Sequence, residues 1–320
     1  MFDAFIIPRI GKPLKSVSLE DVKLNKKSAR GIWIDITDCS RTEISGLGKI
    51  FNLHALTLED LFRRNVRTKL EAFREYTFII LYGIKREKRL SPYEIDFIIG
   101  KNFVISSHSG KIGSYEKFKE DKEKIEMLLK ASPDFLLHRL FDLIVDEMLP
   151  IFEKIDKEVD DIEQKVVNEP SDELLNGILG LRTELVDVRR LIPSQREVIA
   201  AIIRGDSKFI TKSTAAYFRD LHDNIIRINE KLDNSRESLR TILDIYILNS
   251  GSKTNEVIKM LTIIATIILP LSLISGIFGM NFAIPFFQRE YGFYYTIVLM
   301  AILVFGMLSY FIRKGWLKLF

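Results

Sequence analysis

Two runs without a single charged residue, Met260–Phe278 and Tyr291–Ile312, lie close together near the C-terminal end of the sequence. They are 19 and 22 residues long. Roughly 20 apolar residues cross the ~30 Å hydrocarbon core of a bilayer as a helix. Residues 1–250 carry nearly all of the charge and hold no comparable run. The expectation is therefore a large water-soluble domain followed by two membrane spans. The opening stretch MFDAFIIPRIGKPLKS has no sustained apolar core or small-residue cleavage site, so it does not read as a secretory signal. Two spans then return the chain to its starting side. Lys253 and Lys259 precede the first span, Arg313, Lys314 and Lys318 follow the second, and Arg289 and Glu290 cancel in the link. The positive-inside rule places both termini and the large domain in the cytoplasm, at the cell membrane. The single cysteine, Cys39, permits no intrachain disulfide and agrees with a reducing compartment. A dispersed net charge of +4 gives no footing for nucleic acid.

Within the soluble part the pattern up to about residue 130 is mixed. GIWIDIT (31–37) and YTFIILYGI (76–84) are rich in β-branched and aromatic residues and predict strands. YEIDFIIG and NFVISS flank Gly100-Lys101 and predict a hairpin, while LEDLFRRN and SYEKFKEDKEKIEMLLK have helical composition. From about residue 134 the chain reads as almost wholly helical, with a start at Ser132-Pro133 and a break at NEPSDELL, where Ser171 is a cap candidate. Residues 146–173 hold eleven carboxylates against three lysines, which is either a solvated face or a surface that gathers cations. Leu221, Ile225, Ile228, Leu232, Ser235, Leu239, Ile242 and Tyr246 follow one another at alternating steps of four and three, a heptad seam. A helix running from about 212 through the first span would be ~100 Å long. Self-association through the seam and the span is the expected way to cover it.

Two spans in one chain cannot surround a water-filled path, but several copies can. In the first span Asn255, Ile258, Leu261, Ala265, Leu269, Ser272, Gly276 and Gly279 form one stripe, polar at both ends, with Asn281 just beyond. Small residues at this spacing also suit ordinary helix packing in lipid. The second span is apolar all round and suits an outer ring. The Asn281 side-chain carbonyl is a neutral acceptor. Mg²⁺ gives up its water reluctantly, so a collar of such carbonyls can hold the hydrated ion by its water shell. A carboxylate collar would hold it more tightly and slow its release.

Gly279-Met280-Asn281, set in SGIFGMNF after TNEVIKMLTIIATIILPLSL and followed by the terminal RKGWL, closely resembles the CorA family of magnesium channels and transporters. FNLHALTLEDL, RTKLEAFREYTFIILY and YFRDLHDN extend the resemblance to roughly residues 30–320. It implies an α+β membrane protein that assembles as a funnel-shaped homopentamer. The expected segments are a cytoplasmic α/β domain (1–130), an acidic helical hairpin (131–210), a stalk helix (211–256), and a pore-lining first span (257–278). An outer loop with the tripeptide (279–290), a second span (291–312) and a basic cytoplasmic tail (313–320) complete them. Carried over residue by residue, Gly279, Met280 and Asn281 become the selectivity filter, and Asn255, Ile258, Leu261, Leu269 and Ser272 line the pore. Asp244 lies on the axis below the membrane. The resemblance also implies regulatory Mg²⁺ between protomers, with Asp60 facing Asp220 and Glu59 and Asp142 at a second, weaker site. Three positions depart from the family pattern: Phe278 stands where tyrosine is often found, Ser272 where threonine is common, and Pro285-Phe286-Phe287 leaves Glu290 as the only acid of the link.

The implied function is membrane-potential-driven influx of hydrated Mg²⁺, with Co²⁺ or Ni²⁺ as further cargo. The implied partners are further copies of the chain, the lipid bilayer and divalent cations. His54, His108, His138 and His222 are scattered without metal-ligand spacing, which disfavours a Zn²⁺-specific relative. No GxxxxGK[ST] phosphate loop and no nucleophile–base set stand out, so an enzyme is not expected. Two alternatives stay open: a Co²⁺/Ni²⁺ or Zn²⁺ transporter of the same fold, and a membrane-anchored sensor or scaffold.

Overall fold

The computed structural model describes residues 2–9, 13–16, 18–38, 40–63, 67–168, 170–280 and 291–317; Cys39 lies outside them. The chain divides into two compact units, Met1–Leu243 and Asp244–Phe320.

The first unit is built on a seven-stranded sheet. Strands β1 (Phe2–Pro8) and β2 (Leu14–Ser16) are followed by helix α1 (Leu19–Asn25) and strand β3 (Ala29–Thr37). Helices α2 (Arg41–Phe51) and α3 (Ala55–Arg63) lead to β4 (Lys69–Ala72), β5 (Tyr76–Arg86), β6 (Leu90–Gly100) and β7 (Phe103–His108). The spatial order is β2-β1-β3-β7-β6-β5-β4. Neighbours are antiparallel except β3 and β7, which run parallel because α2, α3 and three strands intervene in sequence. The predicted hairpin is the β6–β7 pair, and Gly100 closes it: a Cβ there would lie 2.2 Å from the Phe103 ring.

Helices cover both faces of the sheet, which explains why Tyr76–Ile84 is buried without alternation. On one face Ile32, Ile34, Phe78 and Ile80 pack with Ile44, Leu47 and Phe51 of α2 and Leu61 of α3. On the other, Trp33 stacks on Phe5 at 5.1 Å and meets Phe118 at 5.6 Å, and Phe97 meets Phe141 at 4.7 Å. Phe118 belongs to α4 (Gly113–Glu120), which precedes α5 (Lys122–Ala131); Phe141 belongs to α6 (Pro133–Asn168). Beneath these rings sits a buried charge cluster. Lys119 Nζ lies 2.6 Å from Asp35, 3.2 Å from Asp3 and 2.8 Å from Glu116, and His108 Nε2 lies 3.3 Å from Asp35.

Ser171 caps α7 (Asp172–Arg189), accepting from the Leu174 N–H, and α8 (Ile192–Arg204) precedes α9 (Lys212–Phe278). The 67 residues of α9 form one uninterrupted helix that runs through Pro270. Its heptad seam is covered within the protomer, which corrects the expectation of self-association through the seam and leaves the expectation through the span as it was. Leu221, Ile225, Ile228, Leu232, Ser235, Leu239 and Ile242 are all buried within the single protomer. Phe218 meets Phe141 edge-on at 5.7 Å; Ser235 Oγ and Lys231 Nζ each bond Asp156 of α6 at 2.7 Å; Asp233 accepts from Arg189 of α7 at 2.7 Å. The seam is a contact with the chain's own helices, because a heptad names the apolar face and not its partner. The acidic run is partly engaged in the same way: Asp156 serves the seam, Glu158 pairs with Arg86, and Glu147 accepts from the Ser114 N–H.

Candidate functional site

In the second unit, α9 continues from Asp244 to Phe278, and α10 (Gly292–Arg313) is the second apolar helix. Both are long and apolar enough to cross a membrane. At 100° per residue, the stripe from Ile258 through Leu261, Ala265, Leu269, Ser272 and Gly276 to Gly279 occupies one face of α9. All seven residues are exposed in the single protomer, with Ile258, Leu261 and Leu269 at 55%, 66% and 68%. Asp244 and Asn255 are exposed as well. Lys259, Ile263, Ile267, Pro270, Ile274 and Phe278 are buried or half-buried, and they centre about 180° away on the same wheel. On α10 the less exposed positions, Gly292, Thr296, Met300, Val304, Met307 and Phe311, also fall on one face. At one end Lys259 Nζ lies 5.9 Å from the ring of Trp316, which stacks on Phe311 at 5.7 Å. The first span thus covers one face within its own protomer and leaves the predicted stripe uncovered.

The hydroxyls behave differently along this helix. Thr262 and Thr266 donate back to carbonyls one turn earlier, each at 2.7 Å, and are satisfied within the helix. Ser272, on the stripe, makes no such bond among the described residues. The helix ends at Phe278, and the N–H of the next residue, Gly279, bonds the Ser275 carbonyl at 2.9 Å. A Cβ at 279 would lie 2.9 Å from that same oxygen, so any other residue there requires the backbone to shift. Met280 follows as an exposed side chain. Asn281, Arg289 and Glu290 lie outside the described residues.

The four candidate regulatory acids lie in the first unit, and three sit on cations of their own chain. Asp60 pairs with Lys69 at 2.7 Å, and Lys69 also holds Glu71 at 2.8 Å. Partial burial works against the Lys69 ammonium, but the two carboxylates outweigh it and raise its pKa. Glu59 pairs with Arg63 at 3.1 Å, and Asp142 with Arg139. Asp220 is exposed. The structure adds Asp146, one turn beyond Asp142 and 3.8 Å from Arg139. Burial pushes the Asp146 carboxyl up, the Asp142 charge adds to this, Arg139 opposes it, and Asp220 contributes further. Asp142, Asp146 and Asp220 therefore share one negative field. The step of four between Asp142 and Asp146 was the sequence signal for this addition; Lys69 and Arg139 had none. Among the described residues of the single protomer, no three His, Cys, Asp or Glu side chains gather into a metal-holding group.

Residues 28–313 match the sequence profile of a family described as CorA-like Mg²⁺ transporter protein. The cobalt/magnesium transport protein CorA of Thermotoga maritima is 35% identical over 315 residues, covering 96% of this chain and 89% of its own length. A putative metal ion transporter of Bacillus subtilis, YfjQ, is 30% identical, with 96% of each chain covered. Among solved structures, the complete CorA magnesium transporter from Methanocaldococcus jannaschii shares the fold, with a TM-score of 0.86 at 24% identity and 99% of each chain covered.

Proposed function

The chain belongs to the CorA-like Mg²⁺ transporter family, and on that premise we propose that its copies surround an axial path through which hydrated Mg²⁺ enters the cell. The assembly is a funnel-shaped homopentamer in the cytoplasmic membrane, with both termini inside. The observation that carries this reading is the uncovered stripe of the first span, opposite the face that α9 buries. A helix that only anchors a domain needs no free serine and no pair of glycines along one face, with asparagines at both ends. Facing an axis, the stripe supplies narrow apolar rings at Ile258, Leu261 and Leu269, which close a pore by dewetting. Asn255 and Ser272 give water-bonding rings on either side of them, Asp244 concentrates cations at the inner approach, and the Gly279-Met280-Asn281 turn forms the outer filter. The membrane potential supplies about 2.3 kcal/mol per charge per 100 mV, hence about 4.6 kcal/mol for a divalent ion. Neither ATP nor a coupled ion is required. A filter that reads the water shell discriminates weakly among similar hexahydrates, and the Thermotoga maritima relative is named for cobalt as well; Co²⁺ is the second expected cargo.

Regulation uses the same ion. Asp60 of one copy faces Asp220 of its neighbour, and Glu59 and Asp142 form a weaker second site. A cation between such carboxylates removes their repulsion and locks adjacent copies in the closed arrangement; its loss shifts the population towards open states. A single protomer does not assemble this site, since Asp60 rests on Lys69. Entering Mg²⁺ competes with that ammonium, which sets the affinity low enough to sense the free ion.

The direct test is flux into sealed liposomes holding the purified chain, an internal Mg²⁺ indicator and an inside-negative potential. Influx above protein-free vesicles that Co²⁺ competes away is expected; its absence would remove the transport reading. The regulatory reading has its own variant, Asp220→Lys, which places a fixed positive charge where the cation sits. Closure by internal Mg²⁺ should then require at least about tenfold more ion, equivalent to about 1.4 kcal/mol. Closure at unchanged Mg²⁺ concentration would reject the Asp60–Asp220 assignment and leave transport standing.

A further inference from the structure

Between α7 and α9 lies a cavity of about 590 Å³ whose chemistry is unlike that of the transport path. Arg182 and Arg189 line it from α7, and Arg236 and Arg240 from α9, with Asp233 and Glu237 beside them. Four guanidiniums against two carboxylates leave two positive charges unbalanced. Asp233 is already shared: it accepts from Arg189 Nε at 2.7 Å, from Arg236 at 3.5 Å and from Asn229 at 3.1 Å. Arg182 and Arg240 make no hydrogen bond or ion pair among the described residues. The Nε of Arg236 is shut away from solvent with no acceptor. The cavity itself is large enough for a small ligand.

We propose that this cavity binds a polyvalent phosphate anion, bridged by arginines of α7 on one side and α9 on the other. The planar guanidinium fork matches phosphate oxygens in pairs. A chain of two or three phosphates offers enough oxygens for Arg182 and Arg240 together. Bound there, the anion ties α7 to the helix that continues into the first span, so its occupancy biases whatever motion α9 makes. This goes beyond cation transport and stands or falls separately from it, because its readout is binding.

The experiment titrates inorganic tripolyphosphate into the full-length chain in detergent micelles, in Mg²⁺-free buffer, by calorimetry. Saturable binding at one site per chain is expected. The double variant R182Q/R240Q keeps the Asp233 ion pairs and should weaken that binding at least about tenfold, with an unchanged melting temperature to show that it is folded. A second arm distinguishes free phosphate from a lipid headgroup. In nanodiscs of phosphatidylcholine alone, and in nanodiscs containing phosphatidylglycerol, equal tripolyphosphate affinity identifies a soluble anion. Competition by phosphatidylglycerol that vanishes in R182Q/R240Q identifies a headgroup. No saturable binding, or equal affinity for wild type and variant, overturns the proposal.

Discussion

Replacing Asn281 by alanine is expected to reduce Mg²⁺ uptake to the level of protein-free liposomes while the assembly stays intact. The change deletes one amide per copy and, in the proposed pore, the whole ring of neutral carbonyl acceptors at the outer mouth. Mg²⁺ keeps its waters because dehydration is unfavourable. An entry ring must therefore replace the bulk hydrogen bonds to those waters, and alanine offers none. The effect is large because every entering ion meets the ring. Assembly should be unaffected, since in the proposed arrangement the copies meet along the span and the cytoplasmic domain. The measurement pairs indicator flux with native mass spectrometry of the same preparation. Uptake at the wild-type rate in an intact oligomer would remove Asn281 from the filter, while a fragmented oligomer with no flux would give it a structural role instead.

The largest effect on stability is expected at Lys119, which is only 6% exposed and is the cation among three carboxylates. Burial alone would raise the Asp35 carboxyl, but the hydrogen bond and charge of His108 and the Lys119 ammonium outweigh it and hold it below the ordinary carboxylate value. Burial likewise works against the Lys119 ammonium, and Asp35, Glu116 and Asp3 more than offset it, raising its pKa. The substitution Lys119→Met keeps the volume and removes the ammonium that Asp35 and Asp3 share, leaving Asp35 to His108 and the Ser106 hydroxyl. The expected cost is roughly 3–5 kcal/mol, read from urea unfolding. The sign with pH follows from the two shifts. The depressed Asp35 stabilises the native state above about pH 4, and that share is lost as pH falls through its lower native pKa. The raised Lys119 contributes throughout the range below about pH 10. Wild type should therefore lose stability in acid, and the variant should show a shallower acid loss from a lower starting point. A variant within about 0.5 kcal/mol of wild type, the range of an ordinary surface substitution, would show that the cluster contributes nothing.

Much of the architecture was legible because the deciding signals are local. The spans follow from two uncharged runs, the α7 cap from Ser171 before Asp172-Glu173, and the β6–β7 hairpin from two apolar segments around Gly100. The stretch FDAFIIP carried no strand expectation, yet it is β1, paired on both edges and nearly all buried. The parallel β3–β7 pair joins residues about seventy apart and leaves no local trace. The stripe on the first span was readable as a face because 3.6-residue periodicity fixes faces. Lys69 and Arg139, which neutralise Asp60 and Asp142 in the lone protomer, were not readable, because spacing cannot say which side chains turn towards each other.

The stalk seam also bears on how such a protein is made. Because Leu221 through Ile242 find their cover in the same polypeptide, the packing of the stalk seam does not depend on how many other copies are nearby. Errors of pairing during synthesis, when many unfinished copies crowd one ribosome track, would have no exposed zipper on the stalk to seize upon.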